Sequence, residues 1–323
     1  MRHEFIPYAI AFRTPVTTGA GEWAVRRGAW LRVEAGDGRV GWGEGAPLGR
    51  IDSPAALQDA LARGACRDAA FELAALDLEA QRFGRPLAWL LSDSPRPRVA
   101  VNALLFAHDA GALAEEAALA VAAGYRTLKI KVASVQPAED IARILAVRER
   151  VGEGVALRID ANRAWDEATA LVVLRAVEGC DIEYVEDPVP GDLRAVGRQV
   201  NVPVAADPAS LEEGWRVVRE RGADVLVLKP MALGGLRATR ELAVAAIEAG
   251  LGVVVTSVLD TAVGVAGALH LAASLPGPER AHGLATVGLL EDAPVEGLYP
   301  PHAGEMRLPA VPGLGVHLRE RAP

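Results

Sequence analysis

From about residue 99 onward, short apolar or β-branched runs alternate with amphipathic, Ala-rich stretches, each pair recurring roughly every 20 to 30 residues, the rhythm of repeated βα units. The runs are Val99–Leu105, Thr127–Val132, Ala156–Asp160, Ile182–Glu186, Val202–Ala206, Val225–Lys229, Leu251–Ser257 and a weaker Ala281–Ala285. Helical periodicity lies between them at Asp109–Ala123, Pro137–Arg150, Glu167–Val177, Ser210–Arg221 and Leu236–Ala249, several of these stretches preceded by capping residues. Eight parallel strands with intervening helices close most economically into a barrel. An open doubly wound sheet is the competing arrangement, but no G-x-G-x-x-G turn follows a first strand.

The first 95 residues follow a different pattern. Strand-like runs at Phe5–Ala11 and Ala29–Glu34, a turn at Gly36-Asp37-Gly38 and a third run at Arg39–Glu44 predict an antiparallel meander, followed by helices over Ser53–Gly64 and Arg67–Gly84. The expectation is an α/β chain in three parts: an α+β cap over 1–95, a (β/α)-barrel over 96–293, and a Pro- and Gly-rich segment over 294–323 that returns to the cap. Thr14–Gly28 holds three glycines and few core-forming residues, so it reads as a mobile loop able to close over a site.

Composition narrows the function. The 323 residues are 51% hydrophobic, yet no run reaches the roughly 18 uncharged apolar residues a spanning helix needs, and Met1-Arg2-His3-Glu4 lacks the apolar core of a signal peptide. A cytoplasmic protein is expected. A net charge of −8 without a basic cluster argues against nucleic acid and anionic membrane as partners. Cys66 and Cys180 lack C-x-x-C spacing and read as buried thiols. The expected partner is a small-molecule carboxylate, and monomer and homo-oligomer both stay open.

Only three of the 34 basic residues are lysines, Lys129, Lys131 and Lys229, leaving 31 arginines. Arginine does not surrender its proton in a protein, whereas lysine can be tuned into a base, so a Lys-poor chain is expected to keep lysine where that chemistry matters. Lys129 and Lys131 stand two apart in an apolar run, so they share one strand face, where two ammonium groups are expected to lower each other's pKa. A charged solvent-exposed strand is the ordinary alternative, disfavoured by the apolar flanks. Asp160, Glu186 and Asp207 end three successive strands, where barrel active sites sit. Acids there also cap helices, but three in consecutive strands without His or Cys suit a hard cation, Mg²⁺ first with Mn²⁺ possible. Asp187 is expected to point away from Glu186. Lys229 ends the sixth strand, across the barrel from the second. Two amines and a cation around a carboxylate suit removal of its α-proton, with the cation stabilising the enediolate. Asn162 and Ser257, at predicted strand ends, are candidate substrate-binding residues. Arg13, Arg26 and Arg27 could meet a second carboxylate. Trp165 and the six histidines show no ligand spacing. A catalytically silent barrel that binds a metal and a carboxylate is the reading from another class.

The series K-x-K, D-A-N, E-D-P, A-D-P and L-K-P resembles the enolase superfamily, in particular its muconate-cycloisomerase-like subgroup, over nearly the whole chain. The resemblance implies a (β/α)7β barrel under a capping domain, with residues 14–28 as the specificity loop. It further implies Lys131 as the acid/base, Lys129 as its pKa-lowering partner and Lys229 as the opposing lysine. A mandelate-racemase-type enzyme would use a His on a later strand, whereas this chain has Lys229 on the sixth and Thr256-Ser257 on the seventh, so that branch is set aside. His282 to Gly288 carries no acid, against the acidic pair of a dipeptide epimerase or the glutamate of a muconate cycloisomerase. The implied activity is then a syn dehydration of 2-succinyl-6-hydroxy-2,4-cyclohexadiene-1-carboxylate to 2-succinylbenzoate, a step of menaquinone biosynthesis. Racemisation of N-acylamino acids by the same residues is the alternative.

Overall fold

Polar and apolar positions alternate through the first 45 residues, and the chain answers with an antiparallel sheet of β1 (Arg2–Thr18), β2 (Gly21–Glu34) and β3 (Val40–Gly45), paired in that order. The computed structural model describes residues 2–18, 21–133, 136–291 and 293–319. Pairing of β1 with β2 runs from Arg2 opposite Glu34 to Ala11 opposite Val25, shifts register, and resumes with Val16 opposite Trp23 as far as Thr18 opposite Gly21. The expected mobile loop at Thr14–Gly28 is therefore mostly strand, although residues 19 and 20 lie outside the described set. Its glycines misled because they serve packing: a Cβ on Gly28 would run into the Tyr8 hydroxyl, and Gly21 takes a positive φ of 96° at the hairpin end.

Two helices follow. α1 (Pro54–Arg63) starts with proline in its first turn under a Ser53 cap whose hydroxyl accepts from the Ala56 amide, and α2 (Ala65–Phe83) ends at Gly84 in the left-handed region. Gly41 and Gly43, two apart on β3, present no Cβ where the backbone of α2 passes at Ala70 and Ala74. The helix thus seats directly on the sheet, burying Leu73, Ala74 and Leu76.

After a short α3 (Ala88–Leu91), the expected first barrel strand divides. β4 (Arg98–Ala100) pairs antiparallel with Glu305–Arg307 of the tail, and β5 (Ala103–Leu105) opens the barrel. It continues in sequential, parallel order through β6 (Thr127–Lys131), β7 (Ala156–Asp160), β8 (Ile182–Glu186), β9 (Val204–Ala206), β10 (Val225–Leu228) and β11 (Gly252–Val255). The intervening helices are α4 (Ala110–Ala122), α5 (Pro137–Val151), α6 (Glu167–Ala176), α7 (Leu193–Gly197), α8 (Leu211–Glu220) and α9 (Leu236–Glu248), with α10 (Ala262–Ser274) after the last strand. The eighth expected strand is reduced to two bridges. His282 joins Val101 and Gly283 joins Thr256, with the His282 amide donating to the Ala100 carbonyl and the Gly283 amide to that of Val255. A Cβ at residue 283 would strike the Thr256 hydroxyl, so glycine is what lets this closure come so near.

In β6 the fully buried Leu128 and Ile130 belong to the apolar core, while the alternate residues Lys129 and Lys131 face the barrel mouth. Below them the floor is a buried ion cluster. Arg158, with no exposed surface, donates to Glu183 (2.7 Å), to the Asn102 side-chain carbonyl (3.2 Å) and to the Ala281 carbonyl (2.7 Å), and Arg280 also reaches Glu183. The tail supplies β12 (Val295–Glu296), β13 (Glu305–Arg307), the partner of β4, and β14 (His317–Leu318), which pairs with β12. It meets the cap where the Leu314 amide donates to Asp77 of α2. Both cysteines are buried and free, and among the described residues no helix is long and apolar enough to cross a membrane.

Candidate active site

Parallel register puts Lys131 opposite Asp160, Asp160 opposite Glu186, and Glu186 opposite Ala205, two residues short of Asp207. The three acids consequently stand side by side at the C-terminal rim, and Lys229 follows directly on β10. These residues line one cavity of about 290 Å³, with Asn162, Ser257, Thr256, Thr286 and Leu104 from the barrel and Val16, Trp23, Leu48 and Gly49 from the cap.

The amines and acids are tightly paired. Lys129 Nζ bridges Asp160 (2.8 Å) and Glu186 (2.7 Å), Lys131 Nζ reaches Asp160 at 2.6 Å, and Lys229 is ion-paired to Asp207. Mutual lowering of the lysine pKa values does not describe Lys129 here. Burial pulls its pKa down, but the adjacent Asp160 and Glu186 carboxylates overcome that and hold it well above the ordinary value. Lys229 is raised likewise, burial being outweighed by Asp207 and Glu186. Asp160 is held far below the usual carboxylate range because Lys129 and Lys131 overcome its burial. Glu186 goes the other way, to about 7, pushed by burial and by the charge of Asp160 and Asp207 despite Lys129.

Among the described residues, no three His, Cys, Asp or Glu side chains form a ready ligand cage; the Lys129 ammonium takes the carboxylate oxygens instead. The donor chemistry nevertheless suits a hard divalent cation: three buried or nearly buried carboxylates on neighbouring strands, no soft ligand, and a repulsion at Glu186 that a cation would relieve.

The other residues singled out in the sequence fall in different places. Asn162 turns its side-chain carbonyl to Lys131 Nζ at 2.9 Å, so in this arrangement it orients the amine. Asp187, as expected, points elsewhere, accepting from Arg163 (2.8 Å) and from the Asp207 amide (3.2 Å). None of the three arginines lines the cavity. Arg26 is 1% exposed and spends its guanidinium on the carbonyls of Leu259, Pro47 and Arg27, while Arg13 lies against a separate cavity. Thr286 and the cap residues Val16, Trp23 and Leu48 were not singled out in the sequence. Period-two alternation through the hairpin is the signal that points to Val16 and Trp23, both buried.

A parallel (β/α)-barrel under an antiparallel cap, with ionisable side chains converging at the strand C-termini, defines the enolase-like class of barrel proteins. The chain belongs to the enolase C-terminal domain-like family, whose model matches residues 112–322. It is 38% identical over 300 residues to the o-succinylbenzoate synthase of Thermobifida fusca (strain YX), covering 90% of this chain and 84% of that one. To the L-Ala-D/L-Glu epimerase of Bacillus subtilis (strain 168) it is 30% identical, covering 96% and 92%. The crystal structure of the dipeptide epimerase from Enterococcus faecalis V583, complexed with Mg and the dipeptide L-Leu-L-Tyr, superposes with a TM-score of 0.88 at 28% identity, covering 97% and 98%.

Proposed function

We propose that this chain catalyses the o-succinylbenzoate synthase reaction, the syn dehydration of 2-succinyl-6-hydroxy-2,4-cyclohexadiene-1-carboxylate, with Mg²⁺ as its metal and Mn²⁺ as a substitute. Asp160, Glu186 and Asp207 would hold the metal, which when bound supplies Lewis-acid stabilisation of the enediolate. The observation that carries the choice within the family is the wall at the seventh and eighth barrel positions. Ser257 and Thr286 stand there, and among the described residues the acids lining the cavity are Asp160, Glu186 and Asp207, which follow the third, fourth and fifth strands. Among the described residues that wall holds no carboxylate to pair with the ammonium of a dipeptide. The likeness to the Thermobifida fusca synthase agrees.

The chemistry assigned to the chain is balanced by one lysine. Lys131, acting through its amine, takes the α-proton and leaves the electrons of the broken C–H bond in the enediolate; these then form the new ring double bond as the C–O bond to the hydroxyl breaks. The resulting Lys131 ammonium gives its proton to the departing hydroxyl, which leaves as water, and the amine is regenerated. Asn162 orients that amine. Lys229, kept protonated, faces the other side of the ring and stabilises the enediolate by charge and by cation–π contact.

The test is ultraviolet absorbance of the full chain with Mg²⁺ and the cyclohexadiene precursor. Rapid aromatisation is expected from wild type, none from Lys131→Ala, and loss on chelation with recovery on adding Mg²⁺. Absence of aromatisation by wild type, together with racemisation of an N-succinylamino acid, would replace the dehydration with the racemase reaction. A silent binding barrel would show neither.

A further inference from the structure

Proton transfer uses one side of the cavity and leaves the opposite wall without a role. Counting round the barrel from β5, the three carboxylates belong to the third, fourth and fifth positions. Ser257 follows the seventh strand, and Thr286 follows the bridges at the eighth. In an eight-membered ring the third position faces the seventh and the fourth faces the eighth, so Ser257 lies across from Asp160 and Thr286 across from Glu186. The two side chains line the cavity and are only 6% and 5% exposed.

Their hydroxyl protons do not balance within the protein. The two oxygens are 2.9 Å apart and hydrogen-bonded, and Ser257 Oγ also accepts from the Leu259 amide at 3.2 Å. Each hydroxyl has one proton, and the bond between them uses one, whichever residue donates. Among the described residues the other proton has no acceptor. The neighbouring Thr256 hydroxyl is already spent on the Gly283 carbonyl at 3.0 Å. The basic groups lining the cavity are the three lysines, each already on a carboxylate. This wall therefore offers one buried, neutral O–H donor and no cation.

We infer that the Ser257–Thr286 pair reads an uncharged carbonyl oxygen on the arm of the substrate that points away from Asp160, Glu186 and Asp207. The inference rests on the proposed dehydration, where that oxygen is the ketone of the succinyl arm. The substrate class is an α-acidic carboxylate bearing a ketone or amide carbonyl on its second arm, held by a hydrogen bond instead of an ion pair. A buried donor left without an acceptor is costly, so ligands lacking the carbonyl are rejected.

Calorimetry of the Mg²⁺-loaded full chain tests this with two probes, 2-succinylbenzoate and 2-(3-carboxypropyl)benzoate, in which a methylene replaces the ketone. Wild type is expected to prefer the ketone by about tenfold. Ser257→Ala and Thr286→Val each leave one hydroxyl proton and should keep the preference to within about threefold, whereas the double variant has none and should bind both probes as wild type binds the methylene analogue. Equal affinity of wild type for the probes, binding of neither, or a preference that survives in the double variant overturns the assignment. Should the double variant bind neither probe, Ser257→Ala/Thr286→Ser restores one hydroxyl and must recover the preference; failure to do so also overturns it. Wild-type turnover of the precursor, measured alongside, separates the two readings. No turnover with the preference intact removes the synthase activity alone, and turnover without preference removes the carbonyl assignment alone.

Discussion

At the scale of single residues, the two rim lysines differ in what the proposed reaction asks of them. Lys131 must give and take a proton, while Lys229 only has to stay charged. Lys229→Met is accordingly expected to lower kcat for aromatisation by about 10²- to 10³-fold, the usual loss for a removed charge stabiliser. Lys229→Arg keeps the charge but does not surrender a proton, so it should regain a substantial part of that rate. Racemisation needs exchange on both faces and should fail in both variants. Ultraviolet absorbance and incorporation of solvent deuterium at the α-carbon read the two activities. Equal losses for Met and Arg in the dehydration would mean that Lys229 moves a proton there too. The K-x-K face and the three strand-end acids were legible in the sequence because each stands at a fixed phase of an apolar run. The sign of the Lys129 shift was not, because it is set by Asp160 and Glu186, which belong to other strands.

At the scale of elements, one of the links between cap and barrel is a buried carboxylate. Glu44, near the end of β3 and fully buried, accepts from the Thr261 amide (2.9 Å), the Thr261 hydroxyl (2.7 Å), the Gly264 amide (2.8 Å) and the Tyr8 hydroxyl (2.5 Å). It thus caps the N-terminus of α10 from outside the barrel, where a negative charge meets the positive end of the helix. Glu44→Ala would leave four donors buried without an acceptor and is expected to cost about 3 kcal/mol, read as a lowered denaturation midpoint. A change below about 0.5 kcal/mol would show that water replaces the carboxylate. Such a latch was hidden in the sequence, since Gly41-Trp42-Gly43-Glu44 reads as an ordinary strand end. The hairpin was misread for a related reason: Gly28 makes room for Tyr8, a partner 20 residues earlier in the chain. The eighth strand shrank to two bridges because closure there is made by Gly283 under Thr256, and Thr286 became visible as cavity wall only after that closure was known.

For the molecule as a whole, the cap–barrel junction carries a titration that should set how stability follows pH. Asp260, 2% exposed, lies at the start of α10 with Glu44, Arg26, Tyr8 and Lys229 around it, and among the described residues its Oδ1 has no hydrogen-bond partner. Burial first, and then the charge of Glu44, push its pKa from 3.8 up to about 8 against the pull of Arg26. Between about pH 4 and about pH 8 the folded chain therefore holds a proton that the unfolded chain has released. This group's contribution is fully present below pH 4 and is lost as pH rises through that window, by up to about 1.4 kcal/mol per pH unit. Asparagine does not titrate and keeps the shape. The Tm of Asp260→Asn minus that of wild type should consequently widen from pH 5 to pH 8 and level off above it, in melts of the full chain. A difference that stays constant across this range would mean that Asp260 is ionised in the fold, in which case Arg26, now spent on three backbone carbonyls, must turn toward it and the grip of β2 on the loop at Leu259 must loosen.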